Sequence, residues 1–210
     1  MHREDSNTSL TCVNPEFYLS NDVVARSKDL LGAVLCTNLG GILTTGKIVE
    51  TEAYKAPADK ASHAYGNRLT KRTSILFEPG GQAYIYLCYG IHHLFNVVTG
   101  SPGNAHAILI RAIEPIDGID HMLARRKLQK SSYRLTNGPG ILCQALGITT
   151  DWNGESLLYP NNIWIEGPAN KLKKKDIISS PRVGVDYAEE CALWNWRFRI
   201  KGNPWCSPAK

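Results

Sequence analysis

The apolar residues Val23, Val24, Leu30 and Leu31 fall on one side of a 3.6-residue repeat, which predicts a helix from Asp22 to Leu31. Asn21 or Ser20 suits its start, and Gly32 suits a left-handed stop. The pattern then changes period. Ala33 to Thr37 and Leu43 to Tyr54 alternate and are rich in β-branched residues, with Leu39-Gly40-Gly41 between them, the signature of a β-hairpin. Upstream, residues 1–15 are polar and without periodicity, and read as a flexible leader. The fold is expected to start after Pro15, as a single domain over residues 16–210.

Residues 55–81 carry few apolar side chains and end in Pro79-Gly80-Gly81, which predicts a long ordered loop with a turn of helix near Ala58 to Ser62. Gln82 to Cys88 and His93 to Val98 read as strands joined at Tyr89-Gly90-Ile91-His92, followed by a strand from Ala105 to Ile113. A helix near Ile116 to Lys127 and another after Gly138-Pro139-Gly140 follow. Short strands are predicted around Ile163 to Ile165, Val183 to Val185 and Phe198 to Ile200. Strands clustered in this way, rather than alternating with helices, place the chain in the α+β class with an antiparallel sheet.

Composition narrows the function. With 43% hydrophobic and 20% charged residues among 210, the chain has the balance of a globular protein, not of a disordered, collagen-like or coiled-coil one. No apolar run approaches the roughly 20 residues that cross a bilayer, and Met1-His2-Arg3-Glu4-Asp5 begins no signal-peptide core. The expectation is a cytoplasmic protein with no membrane partner. Six cysteines without a C-x-x-C pair argue against a structural zinc site and a disulfide framework. A net charge of +5 favours a polyanionic partner only mildly, and the clusters Arg125-Arg126-Lys127 and Lys171 to Lys175 also fit solvated faces.

Phosphate-binding loops, dinucleotide fingerprints, nucleophile elbows and zinc-peptidase helices are all missing from the sequence. His92-His93 would point to opposite sheet faces, so neither a metal centre nor a cofactor is expected. What remains is a run of acids and aromatics. Alternation puts Glu50, Glu52 and Tyr54 on one side of their strand, which could equally be an ordinary solvent face. Tyr84 and Tyr86 share a face in the next hairpin, and Tyr89 sits at its tip, where a large ring needs a reason to project. One reason is insertion between stacked bases, with Arg68, Lys71 and Arg72 nearby to hold phosphates.

Val49-Glu50-Thr51-Glu52-Ala53-Tyr54, His63, Tyr86-x-x-Tyr89-Gly90, Asn96, Leu109-Ile110-Arg111-Ala112, Gly138-Pro139 with Leu142-Cys143-Gln144-Ala145-Leu146, and Arg182-Val183-Gly184-Val185 occur in that order. From about Phe17 to Ser207 the chain resembles the alkyladenine (3-methyladenine) DNA glycosylases, also called methylpurine glycosylases. The resemblance implies one domain built on a curved, mainly antiparallel sheet with flanking helices and a protruding β-hairpin. It implies hydrolysis of the N-glycosidic bond of an alkylated or deaminated purine flipped out of double-stranded DNA: 3-methyladenine, 7-methylguanine, hypoxanthine or ethenoadenine. The product is an abasic site, with no strand cleavage because no lysine matches a nucleophile position.

On the same resemblance Glu52 is the general base and Arg111 its orienting partner. Tyr54, His63, Tyr86 and Asn96 form the base pocket, and Tyr89 intercalates. Arg68 and Arg72 hold the DNA backbone, and the backbone at Val185 completes the water site. Electron-rich rings would attract the positive charge of an alkylated purine. Glu50 is expected only to pair structurally. The chain departs from the family's usual Thr-Pro-Arg-Asn at Thr70-Lys71-Arg72-Thr73, from a basic residue at Ile141, and from the usual Pro-Trp-Arg-Phe within Leu193 to Phe198. A monomer is expected, near the nucleoid of a bacterial cell or in the nucleus of a eukaryotic one. Two other readings share the aromatic and basic features in part: a non-catalytic binder of distorted duplex, in which Glu52 would only weaken binding, and an enzyme acting on a small nucleoside, which leaves Tyr89 unexplained.

Overall fold

The computed structural model describes residues 11–168 and 171–208; residues 1–10 of the expected leader lie outside the described residues. The chain is tied down earlier than Pro15. Cys12 bridges to Glu166, and Asn14 caps a short helix α1 (Pro15–Tyr18) by accepting from the Glu16 N–H at 2.9 Å. The next helix, α2 (Val23–Asp29), is capped by Asp22 and not by Asn21 or Ser20, its carboxylate accepting from the Ala25 N–H at 3.0 Å. Gly32 follows at φ +88°, a conformation open to glycine at little cost.

Strands β1 (Val34–Leu39) and β2 (Ile42–Lys55) form the expected hairpin, turning through Gly40 and Gly41 with φ of +60° and +84°. After a long loop come β3 (Ala83–Cys88), β4 (His92–Thr99) and β5 (His106–Pro115). Helices α3 (Ile119–Arg126) and α4 (Pro139–Leu146) precede the short strands β6 (Ile163–Glu166), β7 (Ile177–Ser180) and β8 (Arg197–Ile200). The fold is α+β. Every strand pairing is antiparallel, in the order β3-β4-β5-β2-β1-β6, with β8 pairing the Glu50–Glu52 stretch of β2 and β7 pairing β8. Two expectations change. Val183 to Val185 is irregular and the strand lies earlier, at Ile177–Ser180; the 55–81 loop has its helical turns at Tyr65–Asn67 and Ser74–Phe77, not at Ala58 to Ser62. In both places polar and glycine residues satisfy their backbone through local turns, a competition that periodicity cannot register. No helix among the described residues is long and apolar enough to cross a membrane.

The period-two rule divides the central strands. Ala83, Ile85, Phe95, Val97, Ile108 and Ile110 point into the main core with Leu30, Leu31, Leu142 and Leu146 from the helical side. The intervening residues Tyr84, Tyr86, Leu94, Asn96, Leu109 and Arg111 point to the opposite face and line a cavity. β2 differs from a half-solvated strand: Glu50, Thr51 and Glu52 are all fully buried. Its register against β5 skips twice, between Ile48 and Glu50 and again between Glu50 and Thr51. The second skip leaves Arg111 unpaired between Ala112, opposite Glu50, and Ile110, opposite Thr51, so its side chain reaches both carboxylates.

Glu50 is held by Arg111 at 3.0 Å, Arg197 at 2.7 Å and the Ser207 hydroxyl at 2.8 Å, all at buried positions. Glu50→Ala is expected to lower unfolding free energy in urea by about 3–5 kcal/mol, because it leaves the buried Arg197 with no carboxylate and Arg111 with only Glu52. Lys47→Ala, which breaks the half-exposed 2.7 Å pair with Glu114, is expected to cost under about 1 kcal/mol.

Candidate active site

The cavity encloses about 360 Å³. Its floor is the outward face of β3, β4 and β5. Its walls come from β2 through Tyr54, from the 56–81 loop through His63 and Arg72, and from the segment after β7 through Val183, Gly184, Val185 and Tyr187. One buried ion pair joins the two irregular walls. Arg182 grips Asp59 with two nitrogens, Nη2 at 2.8 Å from Oδ1, and donates to the carbonyls of Ala53 at 2.9 Å and Cys191 at 3.1 Å. Burial works against the charge of Arg182, but Asp59 outweighs it and raises the pKa further above the ordinary arginine value. Its guanidinium also lies 4.7 Å from the ring centroid of Tyr54 and 5.4 Å from that of Trp196, which steadies the Tyr54 ring.

Glu52 is fully buried and stands one layer behind the cavity surface, yet all three of its hydrogen-bond donors line that surface. Oε1 accepts from the Val183 N–H at 2.9 Å; Oε2 accepts from the Tyr54 hydroxyl at 2.8 Å and from Arg111 Nη1 at 3.3 Å. Burial opposes the charge of Arg111, but the negative charges of Glu52 and Glu50 outweigh it and raise its pKa. Burial, then the charge of Glu52 and the bond to it, hold the Tyr54 hydroxyl well above its usual value, so it donates and does not ionise. The carboxylate is therefore oriented from behind the lining residues by an amide, a phenol and a guanidinium.

The aromatic residues Tyr54, His63, Tyr84 and Tyr86 line one cavity. The rings of His63 and Tyr86 meet at 4.7 Å with planes 75° apart, and Tyr84 lies 5.5 Å from Tyr86 and bonds His63 Nδ1 through its hydroxyl at 2.8 Å. Asn96 is buried and donates to the Tyr84 carbonyl at 3.1 Å, leaving its amide on the cavity floor. Tyr89 is 91% exposed at the hairpin tip and still borders the cavity; its φ of +51° is a strained value for a residue with a side chain.

Other placements differ from expectation. Arg68 is exposed and apart from the cavity, whereas Arg72, also exposed, borders it. Its guanidinium carbon lies 4.8 Å from the centroid of Tyr86, and Nη2 lies 3.1 Å from His63 Nε2. Val185 lines the cavity, but its carbonyl accepts from the Ala188 N–H at 2.8 Å, and the backbone group bound to Glu52 belongs to Val183. Asp59, Tyr187 and the Val183 amide were not expected. Arg182 sat inside the quoted Arg182-Val183-Gly184-Val185 run, whereas nothing in the local sequence marks Asp59. Among the described residues, no group of three or more His, Cys, Asp and Glu side chains could hold a metal ion.

The profile of the methylpurine-DNA glycosylase family matches residues 16–204. The chain belongs to that family. It is 50% identical over 185 residues to a Chlamydia abortus protein named "Putative 3-methyladenine DNA glycosylase", covering 88% of this chain and 95% of the relative. A Bacillus thuringiensis protein of the same name is 45% identical over 201 residues, covering 92% and 97%. The glycosylase family match spans every wall of the cavity, from Tyr54 to Tyr187.

His63 is half-buried beside a guanidinium. Burial first, and the positive charge of Arg72 second, lower its pKa to about 4. Above pH ~6.5 the imidazole is neutral in folded and unfolded chains and does not affect stability. Between pH ~6.5 and about 4 the unfolded chain takes up a proton that the folded chain refuses, so stability falls as pH falls. His63→Gln is expected to flatten that slope in urea midpoints measured from pH 7 to 4.5.

Proposed function

We propose that the protein excises alkylated or deaminated purines from double-stranded DNA by flipping the nucleotide into the cavity and hydrolysing its N-glycosidic bond. The observation that carries this reading is the oriented carboxylate of Glu52, held by Tyr54, Arg111 and Val183 at the back of an aromatic slot beside a projecting tyrosine. Tyr54 on one side and His63 with Tyr86 on the other sandwich the base. Asn96 on the floor excludes the exocyclic amine of guanine, and Tyr89 fills the gap left in the duplex. Arg68 and Lys71, both exposed, meet the flanking phosphates.

In the chemical step water attacks the anomeric carbon as the bond to the purine nitrogen breaks. The bonding electron pair leaves with the base, and the water's proton passes to Glu52. The carboxylate opposes the positive charge that develops on the sugar, while Arg111 holds it in place. A cationic purine departs neutral and needs no acid; a neutral lesion must gain a proton as it leaves. The reaction ends at an abasic site.

Glu52→Gln is expected to reduce base release from methylated duplex by at least about 10²-fold while lesion binding persists, measured by single-turnover release and by gel shift. Unchanged release by this variant would remove Glu52 from the mechanism, and binding without release by the wild type would favour a non-catalytic damage binder. Tyr89→Ser is expected to weaken lesion capture in duplex more than in single strands; equal losses in both would argue against insertion into the stack.

A further inference from the structure

The charge balance of the slot runs against the simplest account of how it chooses its base. An aromatic slot that selects cations should offer bare ring faces, with negative charge nearby. Here both principal tyrosines already carry a guanidinium: Arg182 at 4.7 Å from Tyr54 and Arg72 at 4.8 Å from Tyr86. No aspartate or glutamate is among the described residues that line the cavity, whereas Arg72 and Arg111 are. The nearest carboxylate, Glu52, is already engaged by Arg111. His63 is held neutral, partly by Arg72, and adds no negative charge of its own.

Arg182 and Arg111 are locked in place by buried acids, but Arg72 is exposed and has no carboxylate partner within 4 Å among the described residues. It is the one cation at the slot that evolution or an experiment can remove without unpairing a buried charge. We propose that Arg72 is a specificity-determining residue that biases the slot toward neutral purines and against cationic ones. Resting on the base-slot reading above, this bias arises because a cationic base entering beside Tyr86 meets the guanidinium's repulsion and a ring face already polarised by it. A neutral base stacks there without that opposition.

The test compares the wild type with Arg72→Met and Arg72→Lys in two arms. The first measures single-turnover release from duplexes holding either 7-methylguanine, cationic in the nucleotide, or neutral hypoxanthine. The second measures binding of 7-methylguanosine, cationic at pH 6, and of neutral inosine, by chemical shifts of the tyrosine rings. Arg72→Met is expected to raise binding and release of the cationic partner about tenfold relative to the neutral one, and Arg72→Lys to keep the wild-type ratio. The methionine variant should also raise the His63 pKa above about 4 in an NMR titration, a change that a purely structural role would not produce.

Equal gains on both nucleosides would make Arg72 a simple plug, and equal losses with a weaker salt dependence would make it a phosphate ligand; either result overturns the proposal. So does a failure of Arg72→Met to gain affinity for 7-methylguanosine. If no duplex is processed by any variant but the nucleoside ratio shifts as stated, the glycosylase reading fails and the charge bias stands.

Discussion

Glu50 and Glu52 can be buried two residues apart on one side of a strand only because Arg111 lies between them. Each carboxylate taken from water costs several kcal/mol, and two together repel at close range. Arg111 answers both at 3.0 and 3.3 Å, with Arg197 taking a second share of Glu50. The second skip in β2–β5 pairing is what aims it there, since a regular ladder would place a partner opposite every residue. That second skip thus serves both a stable buried charge cluster and an oriented carboxylate just behind the cavity wall. The two glutamates divide the labour. Glu50, tied to Arg197 and Ser207, anchors the cluster, and Glu52 faces the groups that line the slot.

A second buried pair plays the corresponding part for the irregular walls. The 56–81 loop and the segment after β7 have little regular hydrogen bonding of their own, and Arg182 with Asp59 joins them across more than a hundred residues. The same guanidinium steadies the Tyr54 ring and leads directly into the Val183 amide that orients Glu52. Binding geometry and chemical geometry are therefore coupled through Arg182, although it is not among the residues that line the cavity.

Much of this was legible in the sequence because it follows simple periodicities. The 3.6-residue repeat located α2, the Gly40-Gly41 turn located the first hairpin, and alternation put Glu50, Glu52 and Tyr54 on one side and Tyr84 with Tyr86 on another. Alternation could not say that the acidic side is buried, because burial depends on what covers β2: the loop and the post-β7 segment, both far away in sequence. Asp59 and the Val183 amide were hidden for the same reason, their roles being created by contacts between distant stretches. That Arg72 stacks on Tyr86 was hidden as well, since a basic residue in a polar loop looks the same in sequence whether or not a ring lies beneath it.

The split of β3, β4 and β5 into a helix-packed side and a slot side has a mechanical consequence. Phe95, Val97, Ile108 and Ile110 are clamped in close-packed core, so the backbone that presents Leu94, Asn96, Leu109 and Arg111 on the reverse cannot yield without disturbing that packing. Accommodation of differently shaped guests must come from the irregular walls, where Arg72 and Tyr187 border the cavity and are exposed. The molecule works as a rigid anvil between adjustable jaws, and divergence in guest shape among its relatives should accumulate in those walls.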